Sequence, residues 1–206
     1  MTWQLIVCAL ALLVAGPARG TPGARQGGSR IDPLPPVPRH LMFVPRDVAE
    51  RMLDLAQLTR SDVVYDLGCG NGRLSILAAQ KYGARSVGVD TDPKRIAEAN
   101  ANAEKARVSN RVRFVRQGAI DLSEATVVTM VIPQSAPWLT GNGGLLQPLL
   151  TGRLKAGARI VTNFVAGSMK DWKPDRVDRF LDPRGKPRAI LYLWTVPGRA
   201  PRPGTE

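Results

Sequence analysis

The stretch from Val63 to Arg73, VVYDLGCGNGR, constrains this chain more than any other. A β-branched apolar run, which reads as a buried strand, leads directly into glycines at 68, 70 and 72, with a helix-like segment behind them. Glycine has no Cβ, so it accepts positive φ and lets backbone come close to a ligand. The loop ends at a helix N-terminus, where free N–H groups and a partial positive charge suit a molecule carrying oxygens. A strand–loop–helix unit of this kind places the chain among α/β folds.

The rest of the chain agrees. From Val63 onward, short β-branched runs alternate with amphipathic stretches, as in a βαβ array with a parallel sheet. Strands are expected at 62–67, 86–90, 112–117, 125–132, 158–164 and 189–196, and helices at 72–82, 93–107 and 143–155. Gly157 serves as a stop after the last of these helices. Ahead of the glycine loop, DVAERMLDLAQL sets Val48, Met52, Leu55 and Ala56 at helical spacing, with Asp47 as a natural cap.

Outside this array the chain is of a different kind. Residues 3–15 form an apolar run short of the ~20 residues a spanning helix needs and close to a signal-peptide core. Ala18-Arg19-Gly20 offers a cleavage site before Thr21. No Lys or Arg precedes the run, whereas Arg19, Arg25, Arg30 and Arg39 follow it, which favours retaining the downstream chain in the cytoplasm. Two placements therefore stay open: export through a signal peptide, or a short membrane anchor with the folded part in the cytoplasm; a buried core helix or a misassigned start codon is a third reading of the run. The expected division is a leader or anchor at 1–20, a Pro/Gly/Arg-rich linker at 21–41, one folded domain at 42–197 and a disordered tail at 198–206.

A net charge of +12 admits nucleic acid, an anionic membrane surface or an acidic protein as partner. The excess is mostly Arg in a chain also rich in Ala, Gly and Pro, so composition accounts for it equally well. Cys8 and Cys69 supply no disulfide framework, and a lone histidine, His40, excludes a zinc site with paired histidines; no metal is expected.

The glycine spacing narrows the ligand. A dinucleotide fingerprint would place glycine at position 73, which is Arg73, and no Gly-Lys-Ser/Thr follows for a P-loop. The G-x-G-x-G form suits a ligand without pyrophosphate, in which a ribose and an amino-acid carboxylate lie along the loop; S-adenosylmethionine is such a ligand. Asp90 ends the second strand 18 residues after Gly72, where an acid can accept hydrogen bonds from both ribose hydroxyls. Asp66, two residues before the loop, can meet a cationic α-amino group. Taken alone, each acid could equally be a strand-end cap.

VVYDLGCGNGR, GARSVGVD, DLSEATVV and DWKPD, in that order, resemble the Rossmann-like S-adenosylmethionine-dependent methyltransferases. Within these the chain is most similar to the group related to mitochondrial protein-lysine N-methyltransferases, which modify membrane proteins. The resemblance spans about residues 42–196. It implies an α/β fold with a Rossmann-like, seven-stranded, mostly parallel sheet and helices on both faces. It also implies S-adenosyl-L-methionine across the carboxyl ends of the strands, contacted by Asp66, Gly68, Gly70, Gly72 and Asp90, with the helix that begins near Val44 covering it. Relatives carry Gly-Asp at the end of the third strand, where the acid meets the adenine amino group. Here Ala119 stands in that place, and Asp121 is the substitute if the shortened loop brings it round. Relatives also carry an aromatic residue at the fourth strand, where this chain has Met130 and Val131, and a histidine where it has Asn163.

The activity implied is methyl transfer to a protein lysine amine by direct in-line displacement. The acceptor would sit near Pro133 and Gln134, with Trp138 and Trp172 walling a lysine channel, since aromatic faces attract ammonium by ~0.5–2 kcal/mol. Asp171 would take a proton or orient the amine. Packing accounts for both tryptophans as well, and a turn cap for Asp171. A protein substrate is the expected partner, with a membrane-associated protein and an anionic membrane surface as candidates and no specific nucleic acid. The basic segment KPDRVDRFLDPRGKPR could meet anionic lipid head groups or an acidic substrate, but reads chiefly as solvated surface. Two rivals are a non-catalytic Rossmann-like binding module and a nicotinamide-dependent dehydrogenase, the latter disfavoured by Arg73.

Overall fold

The computed structural model describes residues 44–116, 121–131, 154–164 and 172–198. Among these residues three helices, α1 (Arg46–Leu55), α2 (Arg73–Tyr82) and α3 (Pro93–Lys105), accompany seven strands. The strands are β1 (Val63–Leu67), β2 (Arg85–Asp90), β3 (Val112–Arg116), β4 (Val127–Met130), β5 (Arg159–Thr162), β6 (Arg176–Leu181) and β7 (Pro187–Thr195). They form one sheet in the order β3-β2-β1-β4-β5-β7-β6. The first five are parallel, and β7 runs antiparallel to both β5 and β6. The expected seven-stranded, mostly parallel α/β sheet is therefore observed.

The register assigns each residue to a face. Val64, Val127 and Val161 lie on one face with Leu191 and Leu193, packed against Val48, Met52, Leu53, Leu74 and Leu77 of α1 and α2. On the same side Phe114 packs with Ala99 and Ala103 of α3, and all three described helices cover this face. On the opposite face Tyr65, Val89, Val128, Met130, Ile160 and Trp194 form a second buried cluster with Leu122 and Leu154. Strands facing apolar layers on both sides need burial on both sides, which is why β1 and β4 read as apolar runs broken only by Asp66 and Thr129.

Some local expectations change. Asp47 does not cap α1; Pro45 is the cap residue, and Asp47 sits in the first turn, bonded by the Val48 N–H and by Arg188. The basic segment read as solvated surface contains β6 and the turn into β7. Its polar alternation hid a strand whose Phe180 packs against the α1 side while its neighbours face out. Most of the helix expected at 143–155 lies outside the described residues, as do the apolar run at 3–15, the linker and His40. Among the described residues no helix is long and apolar enough to cross a membrane.

Candidate functional site

The glycine loop turns sharply out of β1. The N–H groups of Gly68 and Cys69 both donate to the carbonyl of Val89 on β2, at 2.8 and 3.0 Å, which anchors the loop to the neighbouring strand. Gly68, Gly70 and Gly72 all have positive φ, at 80°, 54° and 78°. Two of them serve different purposes. A Cβ on Gly72 would stand 2.5 Å from the Phe114 ring and 3.0 Å from Ala99, so this glycine lets α2 close against α3 and β3. A Cβ on Gly68 would meet nothing within 4 Å: it would project into open space at the carboxyl end of β1.

The second element of the cradle is Asp90, the last residue of β2. Its Oδ2 accepts from the Gly70 N–H at 3.0 Å and its Oδ1 from the Asp92 N–H at 3.0 Å. Two backbone donors fix the carboxylate against the loop and leave it further lone pairs for a ligand hydroxyl. Asp92 caps α3 through Lys94 N–H, with Pro93 at the first helical position, so the helix begins as the strand ends.

Asp66 lies beneath the loop and is almost wholly buried, at 3% exposure. Ser75 of α2 donates to one carboxylate oxygen at 3.4 Å, and Thr129 of β4 to the other at 3.1 Å. Both hydroxyl residues are fully buried. Burial pushes the Asp66 carboxyl up to about 7, the charge of Asp90 adds to this, and the two hydroxyls oppose it. Burial likewise pushes up the Cys69 thiol, which removes it from consideration as a nucleophile at neutral pH.

Arg73, the residue that argued against a dinucleotide, donates from Nη1 to the Val44 carbonyl at 2.9 Å, tying the approach to α1 to the first residue of α2. Asn102 of α3 donates to the Asn71 carbonyl at 3.0 Å and holds the loop from its other side. Asp121 is exposed, and its carboxylate accepts from the Ser123 N–H and hydroxyl, each at 2.9 Å. Trp172 is partly buried, its ring 6.1 Å from that of Trp194, whose indole N–H donates to the Trp172 carbonyl. Pro133, Gln134, Trp138, Asp171 and Ala119 lie outside the described residues. The structure thus brings Asp66, Gly68, Gly70, Gly72 and Asp90 together, and it adds Ser75 and Thr129. Thr129 left a trace in the sequence, a lone hydroxyl inside the apolar run VVTMV; Ser75 left none.

The residues present fit an adenosyl amino acid: open space at Gly68, backbone N–H groups along the loop, an oriented carboxylate at Asp90 and a second acid beneath.

Comparison with known proteins agrees. The ANTKMT methyltransferase domain family matches residues 66–176, more than half of the chain. A protein-lysine N-methyltransferase of Saccharolobus islandicus is 38% identical over 162 residues, covering 76% of this chain and 94% of that protein. A ribosomal protein L11 methyltransferase of Pectobacterium carotovorum is 32% identical over 124 residues, and the match spans 40% of that protein's length. Among solved structures, an RNA methyltransferase from Salinibacter ruber in complex with S-adenosyl-L-homocysteine is 37% identical, with a TM-score of 0.65, covering 80% of this chain and 99% of that one. The chain belongs to the ANTKMT methyltransferase domain family. It is an S-adenosylmethionine-dependent methyltransferase, which sets aside the dehydrogenase and the non-catalytic module.

Proposed function

We propose that the acceptor is a lysine side chain of a protein. The observation that carries this reading is the match to the Saccharolobus islandicus protein-lysine N-methyltransferase along nearly all of that protein's length.

S-adenosylmethionine, when bound, supplies a sulfonium methyl that a neutral amine takes by direct in-line displacement. Gly68 and Gly70 would present backbone along it, and Asp90, already held by Gly70 and Asp92, would accept from the ribose hydroxyls. Asp66 lies under the loop to meet the α-amino group, with Ser75 and Thr129 fixing its orientation. Gly72 contributes by packing, and Asp121 is the available acid for the adenine amino group.

On the acceptor side, a lysine with an ordinary pKa of ~10.4 is almost wholly charged at neutral pH, so a desolvating channel has to favour its neutral form. Pro133, Gln134, Trp138 and Trp172 would form that channel in this reading, and Asp171 would orient the amine or take its proton. No covalent intermediate with the protein is needed. Holding the amine in line supplies much of the rate, within the ~7–11 kcal/mol that proximity and orientation can give.

The Salinibacter ruber neighbour is described as an RNA methyltransferase, and a net charge of +12 suits RNA too, so RNA is the second reading. One experiment separates them. Purified full-length protein is incubated with a methyl-labelled donor and cell lysate, and the product is split between ribonuclease and protease. Label that survives ribonuclease, is released by protease and is found by mass spectrometry on lysine supports the protein reading. Label lost to ribonuclease overturns it in favour of RNA.

A further inference from the structure

Among the described residues, the large hydrophobic side chains left exposed all lie on one hairpin: Val177 at 47% and Leu181 at 48% on β6, and Ile190 at 38% on β7. The register explains how they come together. β6 turns Phe180 and Asp178 toward α1, where Phe180 packs into the core and Asp178 pairs with Arg51. Val177 and Arg179 therefore face the other way, and Leu181, past the irregularity in register between Phe180 and Leu181, is exposed at the end of the same strand. On β7, Ile190 stands opposite Arg179 and Tyr192 opposite Val177. Tyr192 stacks on Trp194, with ring centroids 5.8 Å apart, so the exposed aliphatic strip continues into the aromatic cluster that includes Trp172.

The hairpin also overhangs the working end of the sheet. Thr162, the last residue of β5, pairs with Tyr192. The β7 residues from Leu191 back to Pro187 therefore run on past the carboxyl end of β5, roughly 17 Å at a strand rise of ~3.4 Å per residue. In open α/β sheets ligands bind outside this same end of the strands.

Its charges are unevenly committed. Asp178 is paired with Arg51, Asp182 accepts from the N–H groups of Arg184 and Lys186 in the turn, and Asp175 accepts from the Thr195 N–H. Arg179, Arg184 and Lys186 have no side-chain hydrogen bond or ion pair among the described residues. Protection of an edge strand against pairing would account for Arg179, since charge blunts an edge, but not for three exposed aliphatic side chains beside it.

We propose that the β6–β7 hairpin is a docking surface for an acidic, aliphatic-bearing segment of the acceptor protein, with Val177, Leu181 and Ile190 as its apolar floor and Arg179, Arg184 and Lys186 as its charged rim. This rests on the protein-acceptor reading. The contact surface disfavours other classes of partner. Single-stranded nucleic acid is held by stacking on exposed aromatic rings, and the exposed side chains here are aliphatic. Insertion of the tip into the apolar part of a lipid layer is disfavoured because the turn, Asp182 to Lys186, is charged; attraction of its bases to an anionic membrane surface is the outcome that the vesicles test.

The test uses the full chain and a fluorescent synthetic peptide alternating Glu and Leu around a single Lys. An all-Glu peptide of equal length, oligouridine, and phosphatidylcholine vesicles containing phosphatidylserine serve as comparators. Reversing the rim (Arg179→Glu, Arg184→Glu and Lys186→Glu together) is expected to weaken Glu/Leu peptide binding about tenfold or more. Replacing the floor (Val177→Ser, Leu181→Ser and Ile190→Ser together) is expected to weaken it about fivefold. Calorimetric affinity for S-adenosylhomocysteine should be unchanged in both variants, which shows that each remains folded. Peptide binding indifferent to both sets of substitutions overturns the proposal. So does an all-Glu peptide that binds equally well, or hairpin-dependent binding of oligouridine or vesicles without the peptide. Transfer is read separately, in the labelled lysate: peptide held by the hairpin with no methyl-lysine formed in the lysate preserves the docking surface and removes the lysine reading. Methyl-lysine formed regardless of the hairpin does the reverse.

Discussion

Thr129 on β4 stands opposite Asp66 on β1 in the parallel ladder and donates its hydroxyl hydrogen to Asp66 Oδ1 over 3.1 Å. With Ser75 above, this gives a carboxyl group sealed under the glycine loop a defined orientation but little solvation. Burial raises its pKa from 3.8 to about 7, so in the ligand-free chain folding favours the protonated form. That contribution to stability is complete below the ordinary carboxyl value and is lost as pH rises through about 7. A bound cationic α-amino group has the opposite preference, since it stabilises the carboxylate.

The melting temperature of ligand-free protein should therefore fall between roughly pH 4 and pH 7 and level off above, and Asp66→Asn should flatten that slope. Affinity for S-adenosylhomocysteine should rise with pH, by up to about tenfold per unit below the shifted pKa, and again be flat in Asp66→Asn. Calorimetry across this range checks both. Equal profiles for the two proteins would show that Asp66 does not sense the cofactor. Thr129→Ser should keep the native profile and Thr129→Val should shift it.

The glycine trio should divide into packing and ligand roles. Gly72→Ala combines a left-handed backbone with a Cβ placed 2.5 Å from the Phe114 ring, and should cost about 2–4 kcal/mol of stability. Gly68→Ala carries the backbone strain without the clash, about 1–2 kcal/mol, but places its methyl in the space opened at the carboxyl end of β1. Denaturant unfolding with parallel calorimetry should show Gly72→Ala as the larger loss of stability and Gly68→Ala as the larger loss of cofactor affinity for its stability cost. The reverse ranking would place the ligand elsewhere.

What the sequence revealed and what it concealed follow from the range of the interactions. VVYDL, the glycine loop and Asp90 were legible because each is a local pattern: a buried strand, a turn needing positive φ, an acid at a strand tip. β6 was not, because RVDRFL gives one face to α1 and the other to solvent, and its two arginines and aspartate read as surface. The partners of Asp66 were hidden for a different reason. Thr129 lies 63 residues away, and nothing local says which strand stands beside β1. The glycine spacing and the resemblance pointed to the cofactor; the register identified Thr129, and the packing of α2 on the sheet identified Ser75, as the hydroxyls that meet the acid.

Arg73 binds the Val44 carbonyl from the start of α2, a contact between the approach to α1 and the mouth of the site. A charged donor to a carbonyl contributes ~1.5–3 kcal/mol at best and less when exposed, as here. Arg73→Met keeps the length of the side chain and removes the donor. It should lower affinity for S-adenosylhomocysteine by up to about tenfold while costing under ~1 kcal/mol of stability. Unchanged affinity in calorimetry would show that the segment at Val44 does not cover the cofactor.

At the opposite end of the sheet, Asp62 at the approach to β1 and Arg159 at the start of β5 are joined by an ion pair. Asp62 is buried, and its carboxylate also accepts from the Thr126 hydroxyl at 2.7 Å and from the Thr59 N–H and hydroxyl, each at 2.8 Å. Arg159 reaches further, to the carbonyls of Ala56 and Gln57 behind α1. Burial alone would push the Asp62 carboxyl up, but these donors and the guanidinium outweigh it and hold its pKa below the ordinary 3.8. Its stabilising effect is therefore present above that value and lost as pH falls through the depressed one. Arg159→Met should strand the carboxylate and the two carbonyls together, costing about 2–3 kcal/mol, below the range for a fully buried pair because Arg159 keeps some exposure. The variant should also unfold at a higher pH than wild type during acid titration. Adding Asp62→Asn to Arg159→Met should recover part of the loss, since the second change removes the stranded charge. Strictly additive losses in that double-mutant cycle, with an unmoved acid midpoint, would show that the pair does not clamp the amino ends of β1 and β5 against α1.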